Sequence, residues 1–148
     1  MSLSIVIVNE ESEIEELLDL FAPYFHDQSR NDAHVISILS RKYYQYGIVV
    51  KVEKEGNTVG YCAYYANDLI NRIAFVSMLT VASHFQGKGI GKMLLKHVIE
   101  DCKKRGMNLI RLEVANDNYN AINFYTKMGF CVSGVLSEMT SEYTRSIS

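Results

Sequence analysis

The chain has 148 residues, 48% of them apolar, with 15 Lys and Arg set against 17 Asp and Glu. That is enough for one domain, residues 1–148, burying roughly 68–70% of its unfolded surface. The formal net charge of −2 gives no support for a nucleic-acid partner. No apolar run nears the length of a membrane span and the N-terminus lacks a basic region with an apolar core, so a cytoplasmic protein without membrane partners is expected.

In chain order, Ser4–Val8 is a short β-like run. Ser12, with Glu15 in the capping-box position, predicts the start of a helix whose Ile14, Leu17, Leu18 and Phe21 recur at helical spacing, and Pro23 marks its end. Asp32 is placed to cap a second helix through Tyr46, with Val35, Ile36, Leu39 and Tyr43 on one side. Ile48–Glu53 and Thr58–Ala66 read as strands joined by the turn Lys54-Glu55-Gly56-Asn57, and Asn67–Asn71 is polar enough for a second turn. A strand over Ile73–Ala82 follows. The next helix, Lys92–Arg105, directs Met93, Leu94, Val98 and Cys102 inward and stops at Gly106. Leu109–Val114 is a strand, Asn118–Met128 a helix ended by Gly129, and Phe130–Val135 and Tyr143–Ile147 are closing strands. The order β-α-α-β-β-β-α-β-α-β-β is mixed α/β. Cys62, Cys102 and Cys131 are too widely spaced for a zinc site or a disulfide framework, no metal site is expected, and their apolar neighbours suggest three small packing residues in a reducing compartment.

The stretch between the Ile73–Ala82 strand and the Lys92 helix carries the chemistry. Gln86-Gly87-Lys88-Gly89-Ile90-Gly91 puts three glycines on alternate positions, which lets backbone N–H groups crowd around a ligand. The helix that follows adds unpaired N-terminal donors and the positive end of its dipole. Strand, glycine turn and helix start together make an anion site suited to a pyrophosphate. A P-loop is excluded, because Lys92 stands where its second glycine belongs and Met93 cannot ligate Mg²⁺. The dinucleotide fingerprint is excluded by the same Lys92.

What remains resembles the acetyl-CoA pyrophosphate loop of the GNAT N-acetyltransferase superfamily, Gln/Arg-x-x-Gly-x-Gly/Ala, with Gln86 first, Gly89 central and Gly91 last. A second stretch, Asn118 to Phe130 (NYNAINFYTKMGF), resembles that family's Asn-x-x-Ala-x-x-Phe-Tyr-x-x-x-Gly-Phe. The resemblance covers residues 73–135 well and the first 70 only in pattern. It implies a single GNAT-type domain: a central, mostly antiparallel mixed sheet of six to seven strands flanked by about four helices. Its fourth and fifth strands, here Ile73–Ala82 and Leu109–Val114, would splay apart around the pantetheine arm of acetyl-CoA. Backbone groups of Leu79, Thr80 and Val81 would pair with that arm, and Gln86, Gly87, Lys88, Gly89, Ile90, Gly91 and Lys92 would hold the phosphates. Lys88 and Lys92 read equally as solvated surface. Asn118 would bond near the pantetheine, cap its helix, or both. The family often has a proline after its fourth strand, and Ala82-Ser83-His84-Phe85 has none.

Amide formation from a thioester needs a neutral amine, a donor for the oxyanion and an acid for the leaving thiolate. By resemblance Tyr125 stands at the position of the general acid, against the plain alternative of a core aromatic. Leu112-Glu113-Val114 resembles the Leu-Glu-Val of N-terminal protein acetyltransferases, whose glutamate assists deprotonation. Glu113 is equally readable as the surface partner of Arg111. His84 and His97 are alternative bases by chemistry, the first read as solvated and the second as packing. With no cysteine in either motif, direct transfer in a ternary complex is expected. The acceptor is read as a primary amine of a small molecule, with a peptide N-terminus or a catalytically silent acyl-CoA-binding module as alternatives. Its pocket would draw on Tyr24–His34, with Asp27 and Asp32, and on Glu138 and Glu142. The family's frequent dimers make a second copy of the chain a candidate partner.

Overall fold

A computed structural model gives the architecture of residues 2–25 and 32–148. The elements are β1 (Leu3–Val8), α1 (Glu11–Phe21), α2 (Ala33–Tyr46), β2 (Ile48–Lys54), β3 (Asn57–Tyr65), β4 (Ile73–Val81), α3 (Ile90–Lys104), β5 (Leu109–Ala115), α4 (Tyr119–Lys127), β6 (Cys131–Val135) and β7 (Thr140–Ser146). Their order is the one expected from the sequence, and they form one seven-stranded sheet in the order β1-β2-β3-β4-β5-β7-β6. The strand pairs are antiparallel except β4 with β5. No helix among the described residues is long and apolar enough to cross a membrane.

The apolar strands are long runs rather than strict alternations because β2, β3 and β4 are covered on both faces. Val50 and Val52 of β2, and Cys62 and Tyr64 of β3, join Leu94, Leu95, Val98 and Cys102 of α3 in one core. Val49, Tyr61 and Ala63 point the other way, into a second core with Ile14, Leu17, Leu18 and Phe21 of α1 and Ile36 and Tyr43 of α2. Period-two strands between two amphipathic helix layers therefore sort neighbouring residues into opposite cores.

Helix ends test the capping expectations. Asp32 caps α2 as expected, accepting from the N–H groups of His34 (2.8 Å) and Val35 (3.4 Å). Ser12 does not cap α1. That helix begins two residues earlier than a Ser12 cap would place it, at Glu11, with Glu10 in the cap position and no side-chain cap bond. Glu11 and Glu13 in its first turn complement the dipole instead. Pro23 lies in a short 3-10 turn, Ala22–Tyr24, that closes α1. The final hairpin is longer than expected, with β7 beginning at Thr140 and Phe130 left as a core residue before β6. Cys62 and Cys102 are buried, as expected, but Cys131 is exposed, since β6 is an edge strand with most of its residues in solvent.

Candidate active site

Two local irregularities open the sheet. The parallel ladder of β4 and β5 holds for three pairs only, Ile73 with Leu109, Ala74 with Ile110 and Phe75 with Arg111. Beyond them the strands diverge, as the resemblance implied. Within β4 the register against β3 steps from Ala63–Met78 to Tyr64–Val76, so Ser77 is an extra residue, a β-bulge beside the opening. The Ser77 hydroxyl is 2.7 Å from the Tyr43 hydroxyl of α2, which anchors the bulge to the helix layer behind it.

The divergence makes a cavity of about 360 Å³. Its walls include Leu79, Thr80 and Val81 of β4, Glu113 of β5, Asn118 before α4, Tyr125 of α4 and Gln86 of the loop. Seven of the sequence-predicted residues thus meet at one cavity although they come from four different segments. Where β5 has left, every other backbone group of β4 points across the gap and lacks a strand partner there. An extended chain with amides can add to such an edge.

The glycine loop leaves the cavity wall at Gln86 and builds the start of α3; Gly87, Lys88, Gly89, Ile90 and Gly91 are not themselves wall residues. Gly89 occupies the helix cap position with φ +86°, left-handed, and nothing lies within 4 Å of where a Cβ would stand. Its conformation therefore favours glycine even though the protein leaves the space open. Gly91 is different. A Cβ there would come within 3.3 Å of the Phe124 ring, so this glycine lets α3 approach α4. The Ile90 side chain is buried in the core, which leaves only its backbone N–H for a ligand. Gln86 donates from Nε2 to the Val81 carbonyl at 3.0 Å and ties the loop back to β4. Lys88 stands over the Phe85 ring at 5.6 Å. Lys92 is exposed in the first turn of α3 and is not part of the cavity wall.

Tyr125 is packed edge-on between Phe124 (5.1 Å) and Phe130 (5.6 Å) and is 9% exposed. No described side chain pairs with its hydroxyl, yet no buried side-chain oxygen or nitrogen is left unsatisfied. The hydroxyl therefore opens to the cavity that Tyr125 lines. Burial raises its pKa well above the ordinary phenol value, with a smaller contribution from the Cys62 thiol. Asn118 caps α4 through its Oδ1, which accepts from the Ala121 N–H at 3.3 Å, and it also lines the cavity.

Glu113 is another wall residue, with its side chain 40% exposed. Arg111 holds it, with Nη1 3.2 Å from Glu113 Oε2 and 3.3 Å from Glu142 Oε2, while the guanidinium lies 4.4 Å over the Phe75 ring. Glu113 and Glu142 face one another across β5 and β7, so one guanidinium separates two like charges that would otherwise repel. From sequence Glu113 reads equally as a base and as the surface partner of Arg111; the ion pair is present, with Glu142 and Phe75 as its surroundings. Of the other residues considered, Asp27 lies outside the described residues, Asp32 is used as the α2 cap, Glu138 is exposed, and His84 and His97 are not in the cavity wall. Tyr24 and Phe25, from the segment expected to form the acceptor pocket, also line the wall, together with Phe75 and Ser77, which no motif marks. Strand alternation alone would have suggested Phe75, whereas the bulge at Ser77 has no sequence signature.

Several buried acids share one pH consequence. Burial raises the pKa of the Cys62 and Tyr64 groups above their ordinary values, and pushes Cys102 and Tyr65 up to about 12. The folded protein thus keeps protons that the unfolded chain loses from about 9.0 for thiols and 10.0 for phenols. The unfolded state binds fewer protons above that range, so stability falls as pH rises. Thermal melts should show a falling Tm from about pH 9 upward, and a flat Tm to about pH 11 would contradict these burial assignments.

Three comparisons bear on this geometry. The sequence model of the acetyltransferase (GNAT) family matches residues 12–130. Streptothricin acetyltransferase of Streptomyces lavendulae is 33% identical over 90 residues, covering 61% of this chain and 47% of the relative. The [ribosomal protein bS18]-alanine N-acetyltransferase of Salmonella typhimurium is 40% identical over 52 residues, 35% of each chain. The crystal structure of the PaiA N-acetyltransferase of Thermoplasma acidophilum, in complex with coenzyme A, superposes with a TM-score of 0.78 at 18% identity, over 99% of both chains. The matched stretches span about a third to a little over half of the curated relatives' lengths.

Proposed function

We propose that this chain, which belongs to the acetyltransferase (GNAT) family, moves an acetyl group from acetyl-CoA to a primary amine of a small molecule. The observation that carries the reading is the opening of the sheet after Phe75 and Arg111. It gives an amide-bearing arm a strand edge to pair with, in a cavity whose walls carry Gln86 of the glycine loop, Tyr125 and Glu113. In this reading the N–H groups at Gly89, Ile90 and Gly91 take the pyrophosphate. Glu113 draws the proton from the incoming ammonium, directly or through one water. The neutral nitrogen attacks the thioester carbonyl, the C–S bond breaks as the Tyr125 hydroxyl gives its proton to the departing sulfur, and the proton shed by the nitrogen as the amide forms restores the phenol. No thiol of the protein lines the cavity, which supports direct transfer over an acyl-enzyme.

The likeness to streptothricin acetyltransferase favours a small-molecule acceptor. A peptide N-terminus is the second reading. It is supported by Leu112-Glu113-Val114 on the cavity wall and by the likeness to the bS18-alanine enzyme. An assay of CoA thiol release decides between them. Release with polyamines or aminoglycosides supports the first reading. Release only with peptides bearing a free α-amine supports the second, and CoA binding without release from any amine would mark a silent acyl-CoA-binding module.

A further inference from the structure

Two lysines from separate elements converge on one aromatic ring beside the glycine loop. Lys54 Nζ lies 5.3 Å from the centroid of Phe85, and Lys88 Nζ lies 5.6 Å from the same centroid. Register explains how Lys54 gets there. Along β2, Val50 and Val52 point into the core beneath α3, and Lys54 continues that row at the strand's end, with Leu3 of β1 opposite it. The row therefore leaves the core at the turn that precedes α3. Phe85 closes that turn, Ser83–Phe85, and packs against the same core, so its ring is fixed and steers both lysine stems.

Neither lysine is ion-paired among the described residues. Of the two glutamates that flank Lys54, Glu53 is on the other strand face and is taken by Lys51 at 3.3 Å, and Glu55 is exposed in the hairpin turn and makes no ion pair with it. Two ammonium groups held at one ring repel each other, and in a chain of net charge −2 their concentration at this edge is local. The next residues, Gln86 to Gly91, form the left-handed turn and the N-terminus of α3. Lys92, exposed in the first turn of α3, is a further cation of the same loop and helix start.

We propose that Lys54 and Lys88 form a phosphate-binding rim for acetyl-CoA, and that Lys54, which no loop motif includes, is a cofactor-binding residue. The proposal rests on the reading of acetyl-CoA as the acetyl donor. The ligand chemistry is a phosphate anion, with two sources in that molecule, the pyrophosphate and the 3′-phosphate of the ribose.

The test titrates CoA and 3′-dephospho-CoA into the wild type and into Lys54→Met, Lys88→Met and their double variant by calorimetry at low salt. Methionine keeps an unbranched stem on Phe85 while removing the charge. Lys54→Arg restores the charge, and Lys42→Met, on the exposed side of α2, controls for net charge. The double variant should bind CoA about tenfold more weakly, and Lys54→Arg should bind it close to wild type. A purely structural role would lower Tm without moving the affinity of the folded protein. Loss of the penalty with dephospho-CoA supports contact with the 3′-phosphate, and an equal penalty with both ligands supports contact with the pyrophosphate. Wild-type affinity for CoA in the double variant overturns the proposal. A wild type that binds neither ligand overturns the donor reading itself, and this proposal with it.

Discussion

Tyr125→Phe should lower kcat by roughly 10²-fold while leaving CoA affinity within about twofold. The two effects separate because the ring and the hydroxyl do different work. The ring fills a slot between Phe124 and Phe130, and phenylalanine retains those edge contacts. The hydroxyl makes no contact that folding requires and opens to the cavity. Burial keeps the phenol protonated across the whole neutral range, so it holds a proton when the thiolate departs. Steady-state kinetics with saturating acetyl-CoA, alongside calorimetry with CoA, reads both quantities. Unchanged kcat would remove Tyr125 from the mechanism and leave it as a core aromatic. A large loss of CoA affinity would instead mean that the hydroxyl serves binding rather than proton transfer.

Gly89→Val should abolish CoA binding, with Kd rising by about 10²-fold or more. Valine is a poor fit for the left-handed conformation that Gly89 adopts at φ +86°. If the backbone shifts to relieve it, the N–H groups at the start of α3 turn away from the ligand. If it does not shift, the side chain enters the space beside those groups, which the protein leaves empty. Strain alone would also weaken the fold by about 1–2 kcal/mol, and a control is built into the chain. Gly56, in the β2–β3 hairpin turn, has φ +82° and equally open surroundings. Gly56→Val therefore imposes similar strain outside the glycine loop. Matched losses of Tm with CoA binding lost only in Gly89→Val are the expected result. Normal CoA affinity in Gly89→Val would contradict the assignment of the loop to the pyrophosphate.

How much of this was legible beforehand follows from the kind of signal each feature leaves. Elements with strong local grammar were readable. Asp32 could be seen as a cap because its acceptor lies two and three residues from its donors. Ser12 misled because a capping box states a local preference, and the packing of Ile14, Leu17 and Leu18 against the sheet set where α1 begins. Tyr125 and the glycines were named from two motifs whose residues are close in sequence. Their joint cavity was legible only through resemblance, since nothing local says that β4 and β5 part after Phe75.

By itself the sequence determined the element order, the glycine turn feeding a helix start, and the family, because these are written in contiguous residues whose backbone preferences act over a few positions. Only the tertiary structure decided the rest. The bulge at Ser77, the seating of Arg111 between Glu113, Glu142 and Phe75, and the meeting of Lys54 with Lys88 over Phe85 all depend on register between segments distant in the chain. A one-residue slip in any of those pairings would turn the side chains to the opposite face of the sheet. That register is fixed by the two apolar cores taken together, and no short stretch of the chain carries it alone.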